Sequence, residues 1–387
     1  MPLPDIIIDT IRRQGPLSFR DFMEMALYYP EEGYYASSQD RVGATGDFYT
    51  SPYLTRLFGE MIAGQMEEMW RVLDRRPFTI VEYGAGTGLL CRDILLRLRS
   101  NKELFRSLQY VIIEKSESMR KREHQLLAME GLLDKMRWES SIDALAPIDG
   151  CVLSNELVDN FAVHQVMMQE ELMEVFVGYD GGFTEVLRPA SMALKNYLKE
   201  LQITLRRDVR AEINLEATQW IRSVSAALGH GFVITIDYGN SSSGLYNNCE
   251  GTLKCHHRHQ VNHCPYDFIG DQDITSDVNF SALEHWGRRG GLEYCGYTSQ
   301  TRFLQGLGFN RRLQQLELET SANGTLGAST TLSGVLNGAS ADLAHQTAAR
   351  QLYTLLIGMG SKFKVLIQRK GIGRPFLSGL QFAQVLA

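Results

Sequence analysis

Between residues 52 and 73 the apolar positions Leu54, Leu57, Phe58, Met61, Ile62, Met66, Met69 and Trp70 recur at three- and four-residue intervals, the spacing that lines one face of an α-helix. Thr50 and Ser51, followed by Pro52, predict that this helix begins there, because a hydroxyl can cap the first amides and proline is tolerated in the first turn. From residue 78 the pattern changes. Short apolar runs alternate with helical segments: strand FTIVEYG, helix LLCRDILLRLRS, strand LQYVIIEKS, helix ESMRKREHQLLAMEGLL, short strand MRWES and strand GCVLSNE. Such alternation predicts an α/β fold with a mostly parallel sheet, and ligands at the carboxyl ends of its strands.

Residues 163–188 then read as consecutive strands with a turn at YDGG, and a buried strand returns at GFVITIDYG, 231–239. A polar excursion fills 240–285, a helix is predicted over 298–310 ending at Gly308, and SKFKVLIQRKG resembles the last strand of the sheet. The expected organisation is a helical N-terminal region, 1–75, and an α/β domain, 76–387, with insertions at 163–230 and 240–297. The stretch 321–342, SANGTLGASTTLSGVLNGASAD, is almost wholly small and polar and reads as a surface loop.

Composition narrows the partners. Lys and Arg number 39 against 45 Asp and Glu, a net charge of −6, which argues against a nucleic-acid binder. The one basic run, RKRE at 120–123, reads as a solvated helix face. No apolar run approaches the roughly 20 residues of a membrane span, and MPLPDIIIDTIRRQG has neither a signal-peptide core nor a transit-peptide pattern, so the chain reads as cytoplasmic. Six scattered cysteines fit a reducing compartment.

The strand FTIVEYG runs into a glycine-rich loop, with Gly84, Gly86 and Gly88 within five positions. A dinucleotide fingerprint would need its third small residue at position 89, which is Leu89. Glu82 to Gly88 instead resembles the first motif of class I methyltransferases, whose cofactor is S-adenosylmethionine (SAM). Glycines let backbone approach such a cofactor closely, Glu82 favours its ammonium group, and Glu114 at the end of YVIIE is set to accept the ribose hydroxyls. In SNELVDNFAVHQ, a helical turn would bring Asn155, Glu156 and Asp159 to one face beside the reacting methyl, and two carboxylates there suggest a cationic acceptor. A helix cap with dipole-favouring acids is the alternative reading of that segment.

In order along the chain, GDFYTSPYLTRLFGEMI, VEYGAGTGLL, SNELVDNFAVHQV, GFVITIDYG, GDQDITSDVNF and MGSKFKVLIQRK resemble the MidA-like family of SAM-dependent methyltransferases. The resemblance implies a class I methyltransferase fold with a helical N-terminal lid and, by its mitochondrial member, methylation of a protein arginine during respiratory complex I assembly. It implies that Glu82, Gly84, Gly86, Gly88 and Glu114 bind SAM, that Thr50 and Ser51 approach it from the lid, and that Asn155, Glu156 and Asp159 form the catalytic acceptor site. The sequence departs from the family at Ala85 and Thr87, at Tyr53 and in the composition of 321–342. The reaction it implies is direct in-line displacement, with carboxylates orienting the guanidinium. Asp237 is either a third acid of that cleft or a buried hydrogen-bonded group at a strand end. A methyltransferase on a small molecule and a non-catalytic SAM-binding assembly factor remain the alternatives.

A zinc site competes for CEGTLKCHHRHQVNHCP, 249–265, but its cysteines lack short paired spacing, so no metal is expected. A polar, substrate-facing loop with Arg258 and His259 as contacts is the preferred reading, and His164 reads as a structural histidine in a strand. Neither the identity of the acceptor nor the oligomeric state follows from the sequence.

Overall fold

A computed structural model describes residues 1–37, 47, 50–247, 251–312, 314–315, 352 and 354–386; the stretch 321–342 and Cys249 lie outside them. Helix α1 (Leu3–Gln14), the two-residue strand β1 (Leu17–Ser18) and helix α2 (Phe19–Tyr28) open the chain, with the Ser18 hydroxyl accepting from the Asp21 amide to cap α2. The helix expected over 52–73 is broken into α3 (Ser51–Leu54) and α4 (Arg56–Val72). Between them Thr55 is extended, φ −164°, and its hydroxyl accepts from the Leu57 amide, so the capping role falls to Thr55 rather than to Thr50 or Ser51.

The alternating segment then forms β2 (Phe78–Tyr83), α5 (Leu89–Leu98), α6 (Lys102–Ser107), β3 (Leu108–Ile113), α7 (Glu117–Met129), β4 (Met136–Glu139) and β5 (Ile148–Asn155). Strands β6 (His164–Met168), β7 (Leu172–Tyr179) and β8 (Phe183–Pro189), helix α8 (Met192–Glu200), strand β9 (Arg210–Ile213) and helix α9 (Leu215–Ala227) follow before the chain returns through β10 (Leu228–Asn240). The polar excursion after β10 is more ordered than its composition suggests. It contains α10 (Ser242–Leu245), a three-stranded sheet of β11 (Lys254–His257), β12 (Gln260–Asn262) and β13 (Asp273–Thr275), then β14 (Val278–Asn279) and α11 (Phe280–Arg289). Helix α12 (Gln300–Gly306) is shorter than expected because β15 (Glu293–Ser299) precedes it, and β16 (Phe363–Lys370) supplies the late strand.

The central sheet runs β15-β16-β10-β5-β2-β3-β4, with β14 paired beside β10. Neighbours from β10 to β4 are parallel, whereas β16 is antiparallel to both β10 and β15. Alternate residues of one strand feed opposite faces: Ile80 of β2 packs with Phe58, Met66 and Ile94 from α4 and α5, and Val81 packs with Ile221 and Leu283 from α9 and α11. A second sheet, β1-β7-β6-β9 with β8 beside β7, takes its packing from α1 and α2 through Ile7, Phe19, Phe22 and Val177. The N-terminal helices and the inserted strands thereby share one core and stand together over the carboxyl ends of the central strands.

Candidate active site

At those carboxyl ends lies a cavity of about 1380 Å³, walled by the loops after β2, β3, β5 and β10, by α9, by Tyr28, Pro30, Tyr35 and Ala36 at and after the end of α2, and by Thr50 and Pro52. The glycine loop forms its floor. Gly84, Gly86 and Gly88 have φ of 62°, 58° and 79°, a region that disfavours side chains. A Cβ on Gly84 would meet Leu157 Cδ1 at 2.8 Å and one on Gly88 would meet Glu123 at 3.4 Å, whereas one on Gly86 would point into open space. That opening, against exposed backbone, is what a bound cofactor needs.

Acids surround the loop. Glu82 lines the cavity, is 2 % exposed and accepts a hydrogen bond from Tyr110 Oη at 2.8 Å; burial pushes its carboxyl up to about 7. Glu114 also lines the cavity, accepts from the Ser116 amide at 2.7 Å and is likewise raised by burial. Glu123 was expected on a solvated face with the rest of RKRE, yet it is fully buried, because its position on α7 turns inward where Trp138 Nε1 donates to it at 2.8 Å. Burial, then the charge of Glu114, lifts it to about 8.

Across the cavity stands the segment after β5. Asn155 ends the strand, Glu156 has φ 53°, and a 3₁₀ turn spans Val158–Asn160, so the convergence comes from a tight reversal rather than from an α-helical i,i+3 repeat. Asn155, Glu156 and Asp159 all line the cavity. Glu156 Oε1 accepts from the Ser51 amide at 2.9 Å and from Asn155 Nδ2 at 3.2 Å, and burial raises the carboxyl to about 8. Asp159, 4 % exposed, is raised to about 7 by burial against a hydrogen bond from Tyr238. Thr50 lines the cavity, but Ser51 does not: its hydroxyl accepts from Gln300, and it reaches the site through its amide on Glu156.

Asp237 resolves in favour of the second of its two readings. Its Oδ2 accepts from the amides of Leu157, Val158 and Asp159 at 3.2, 2.9 and 3.4 Å, so it holds the turn that carries the acids instead of facing a ligand. Arg258 and His259 form the β11–β12 turn, both at positive φ, where their amides donate to Asp47; neither lines the cavity. His164 Nδ1 lies 2.7 Å from Glu174 Oε1 across β6 and β7. Among the described residues no group of three or more His, Cys, Asp or Glu is arranged to hold a metal, and no helix is long and apolar enough to cross a membrane.

Several lining residues were missed in the sequence. Tyr28 and Tyr35 stack with ring centroids 5.6 Å apart, Tyr35 Oη donates to Asp273 at 2.9 Å, and Lys254 Nζ bonds Asp277 at 2.8 Å while lying 5.4 Å from the Tyr238 ring centre. The signal was present in GDQDITSDVNF, where Asp273 and Thr275 alternate with an apolar residue, and in the aromatic cluster of LYYPEEGYY. Buried polar atoms of Asn155, Asp159 and Asn160 (Oδ1 in each) and Trp220 Nε1, all in residues that line the cavity, have no hydrogen-bond partner in the protein. Buried polar groups are rarely left so, and a ligand is the natural source of the missing bonds.

Comparison with known proteins agrees with this geometry. A structure of a COG1565 superfamily member from Burkholderia thailandensis, bound to S-adenosyl-homocysteine, superposes with a TM-score of 0.83 at 28% identity, covering 98% of this chain and 95% of that one. The mitochondrial protein arginine methyltransferase NDUFAF7 of Mus musculus and its Drosophila melanogaster homolog are each 26% identical, over 79% and 78% of this chain and 74% of their own lengths. The glycine loop, Glu114 and the open space above Gly86 fit the cofactor of such enzymes. Residues 61–298, more than half of the chain, match the family described as S-adenosyl-L-methionine-dependent methyltransferases, and the chain belongs to that family.

Proposed function

We propose that this enzyme transfers the SAM methyl group to an arginine nitrogen of a protein. The observation that carries the reading is the excess of hydrogen-bond acceptors beside the glycine loop: Glu156, Asp159 and the unpartnered amide oxygens of Asn155 and Asn160, with Trp220 Nε1 as the lone unpartnered donor among these lining groups. A guanidinium offers five N–H donors, a positive charge and no acceptor, whereas a hydroxyl or carboxylate acceptor would leave these groups unmatched. The relatives named as protein arginine methyltransferases support the same acceptor.

When bound, SAM supplies an electrophilic methyl on a sulfonium. The glycine loop would pass along its amino-acid portion, with Glu82 favouring the ammonium, and Glu114 would accept from the ribose hydroxyls. Glu156 and Asp159 would draw the guanidinium's charge toward two of its nitrogens and leave the third directed at the methyl, so that positioning and electrostatics carry the catalysis. Tyr28 and Tyr35 give the arginine stem an aromatic wall. The buried free cysteines Cys91, Cys151, Cys255 and Cys295 fit work in a reducing compartment such as the cytoplasm.

The test uses purified protein, radiolabelled SAM and a cell lysate, with acid hydrolysis of the labelled macromolecules. Label should appear as methylated arginine, and the double change Glu156→Gln, Asp159→Asn should reduce it by at least roughly 10²-fold while S-adenosyl-homocysteine affinity stays near wild type. Label confined to small molecules, or full activity in the double variant, refutes the proposal. Identification of the labelled protein would also show whether it belongs to a respiratory complex, the role implied by the family resemblance.

A further inference from the structure

Methyl transfer to a guanidinium leaves a proton to be removed. The S–CH₃ bond breaks with its electron pair remaining on sulfur as a thioether, the N–CH₃ bond forms from a nitrogen lone pair, and one N–H bond must break so that the product carries one positive charge. Asp159 faces this chamber, but a lone carboxylate that takes the proton ceases to balance the product's charge. A second carboxylate removes the conflict: with both acids ionised beside the bound guanidinium, the pair goes from two negative charges to one on taking the proton and still balances the cationic product.

We propose that Asp273 is that partner, forming with Asp159 a proton-sharing carboxyl pair in which each acid is held by its own tyrosine. This assignment rests on the guanidinium reading above. Strand β13 presents Asp273 and Thr275 to the cavity while Ile274 between them enters the core shared by α1 and α2, as strand alternation requires. Asp273, 2 % exposed, accepts from Tyr35 Oη at 2.9 Å; Tyr238 hydrogen-bonds both Asp159 and Thr275. The two segments are tied together, since the Ser276 amide donates to the Asp159 carbonyl at 3.0 Å. Burial, and next the charge of Asp159, raises Asp273 to about 8, just above the value of about 7 to which burial brings Asp159.

Other titratable groups around the pair are accounted for. Asp237 is engaged by three amides, Asp277 is paired with Lys254, and Tyr35 and Tyr238 are pushed well above their usual range by burial. His256, opposite Asp273 in the β11–β13 ladder, is pushed downward by burial, and Asp47 adds a further negative charge near Asp273. Glu156, raised by burial to about 8 and held by the Ser51 amide, lines the same chamber.

Sinefungin, which carries an amine where SAM carries its methyl, probes the pair without an acceptor protein. Calorimetric titration from pH 5.5 to 8.5 should show its affinity relative to S-adenosyl-homocysteine rising as carboxyls ionise, by about tenfold for each carboxylate its ammonium meets. Asp273→Asn should remove one of the upper steps and leave that of Glu156, lowering the ratio at pH 8.5 by about tenfold and leaving it unchanged at pH 5.5. Tyr35→Phe, which keeps the Asp273 carboxyl but deletes a donor that favours its anion, should move the Asp273 step upward by at least about half a pH unit. A stepped wild-type curve that both variants reproduce overturns the pair alone. A flat wild-type curve overturns the acceptor reading beneath it, and if Asp273→Asn does not fold, an unshifted step in Tyr35→Phe suffices to refute the pair.

Discussion

Asp237 offers a sharp test of how the acceptor turn is held. It is completely buried at the end of β10, with Oδ2 accepting from three amides and Oδ1 accepting from the Tyr238 amide at 3.0 Å. Replacement by Asn keeps the shape but substitutes an NH₂ for one oxygen. With its oxygen toward Leu157, Val158 and Asp159, Asn retains that side and sets a donor against the Tyr238 amide, a loss of about 1–3 kcal/mol for one stranded donor. The opposite orientation would strand three donors and is therefore disfavoured. Replacement by Ala removes both sides, and even if water reaches one amide it should cost at least about 2 kcal/mol more than Asn. Both substitutions abolish any like-charge repulsion with Asp159 and Glu156, so the difference between them isolates the hydrogen bonds. Urea unfolding of the three proteins, followed by tryptophan fluorescence, should rank them wild type, Asn, Ala. Asn and Ala equal within about 0.5 kcal/mol, well inside the worth of one such bond, would refute the claim that Oδ2 fixes the turn.

Two further outcomes are expected. Gly86→Val should abolish S-adenosyl-homocysteine binding in calorimetry while leaving the fold intact by circular dichroism, because its Cβ enters open space at φ 58°; wild-type affinity would remove the loop from the cofactor site. Thermal stability of the ligand-free protein should fall as pH rises from about 5 to 8.5, since Glu82, Glu123, Glu156 and Asp273, raised by burial to between about 7 and about 8 from 4.5 for the glutamates and 3.8 for the aspartate, hold protons in the folded state that the unfolded chain has released; a midpoint that climbs across that window would contradict the buried, protonated state of these acids.

The glycine-loop half of the cavity was legible because its determinants are local. A glycine loop, a strand before it and an acid at the end of the next strand are each defined within a few residues, and a parallel sheet brings the ends of neighbouring strands together whatever the rest of the chain does. The opposite half of the cavity is assembled from segments spread over more than two hundred residues: Tyr28 and Tyr35 near the N-terminus, Asp159 after β5, Tyr238 on β10 and Asp273 on β13. Periodicity identifies none of these as neighbours. The turn at Glu156 was misread as helical for a related reason, since its left-handed backbone is imposed by Asp237, eighty-one positions away, through bonds to the amides that follow it.

The polar excursion after β10 shows the same limit from the other side. Its composition argues for a loop, yet β13 must turn Asp273 and Thr275 into the cavity and Ile274 into the core, and only a strand can divide three consecutive residues in that way. The alternation was written in QDITS, but a three-residue strand is too short to stand out from polar sequence until a second strand, β11, pairs with it. On the proposed reading the acids of this insertion face the acceptor, so variation in acceptor among related proteins is expected to follow changes in β11 and β13. Exchanging the 251–279 segment for that of a relative with a different acceptor should therefore redirect methyl transfer while S-adenosyl-homocysteine affinity is retained, and transfer that keeps its original acceptor after the exchange would return specificity to the turn after β5.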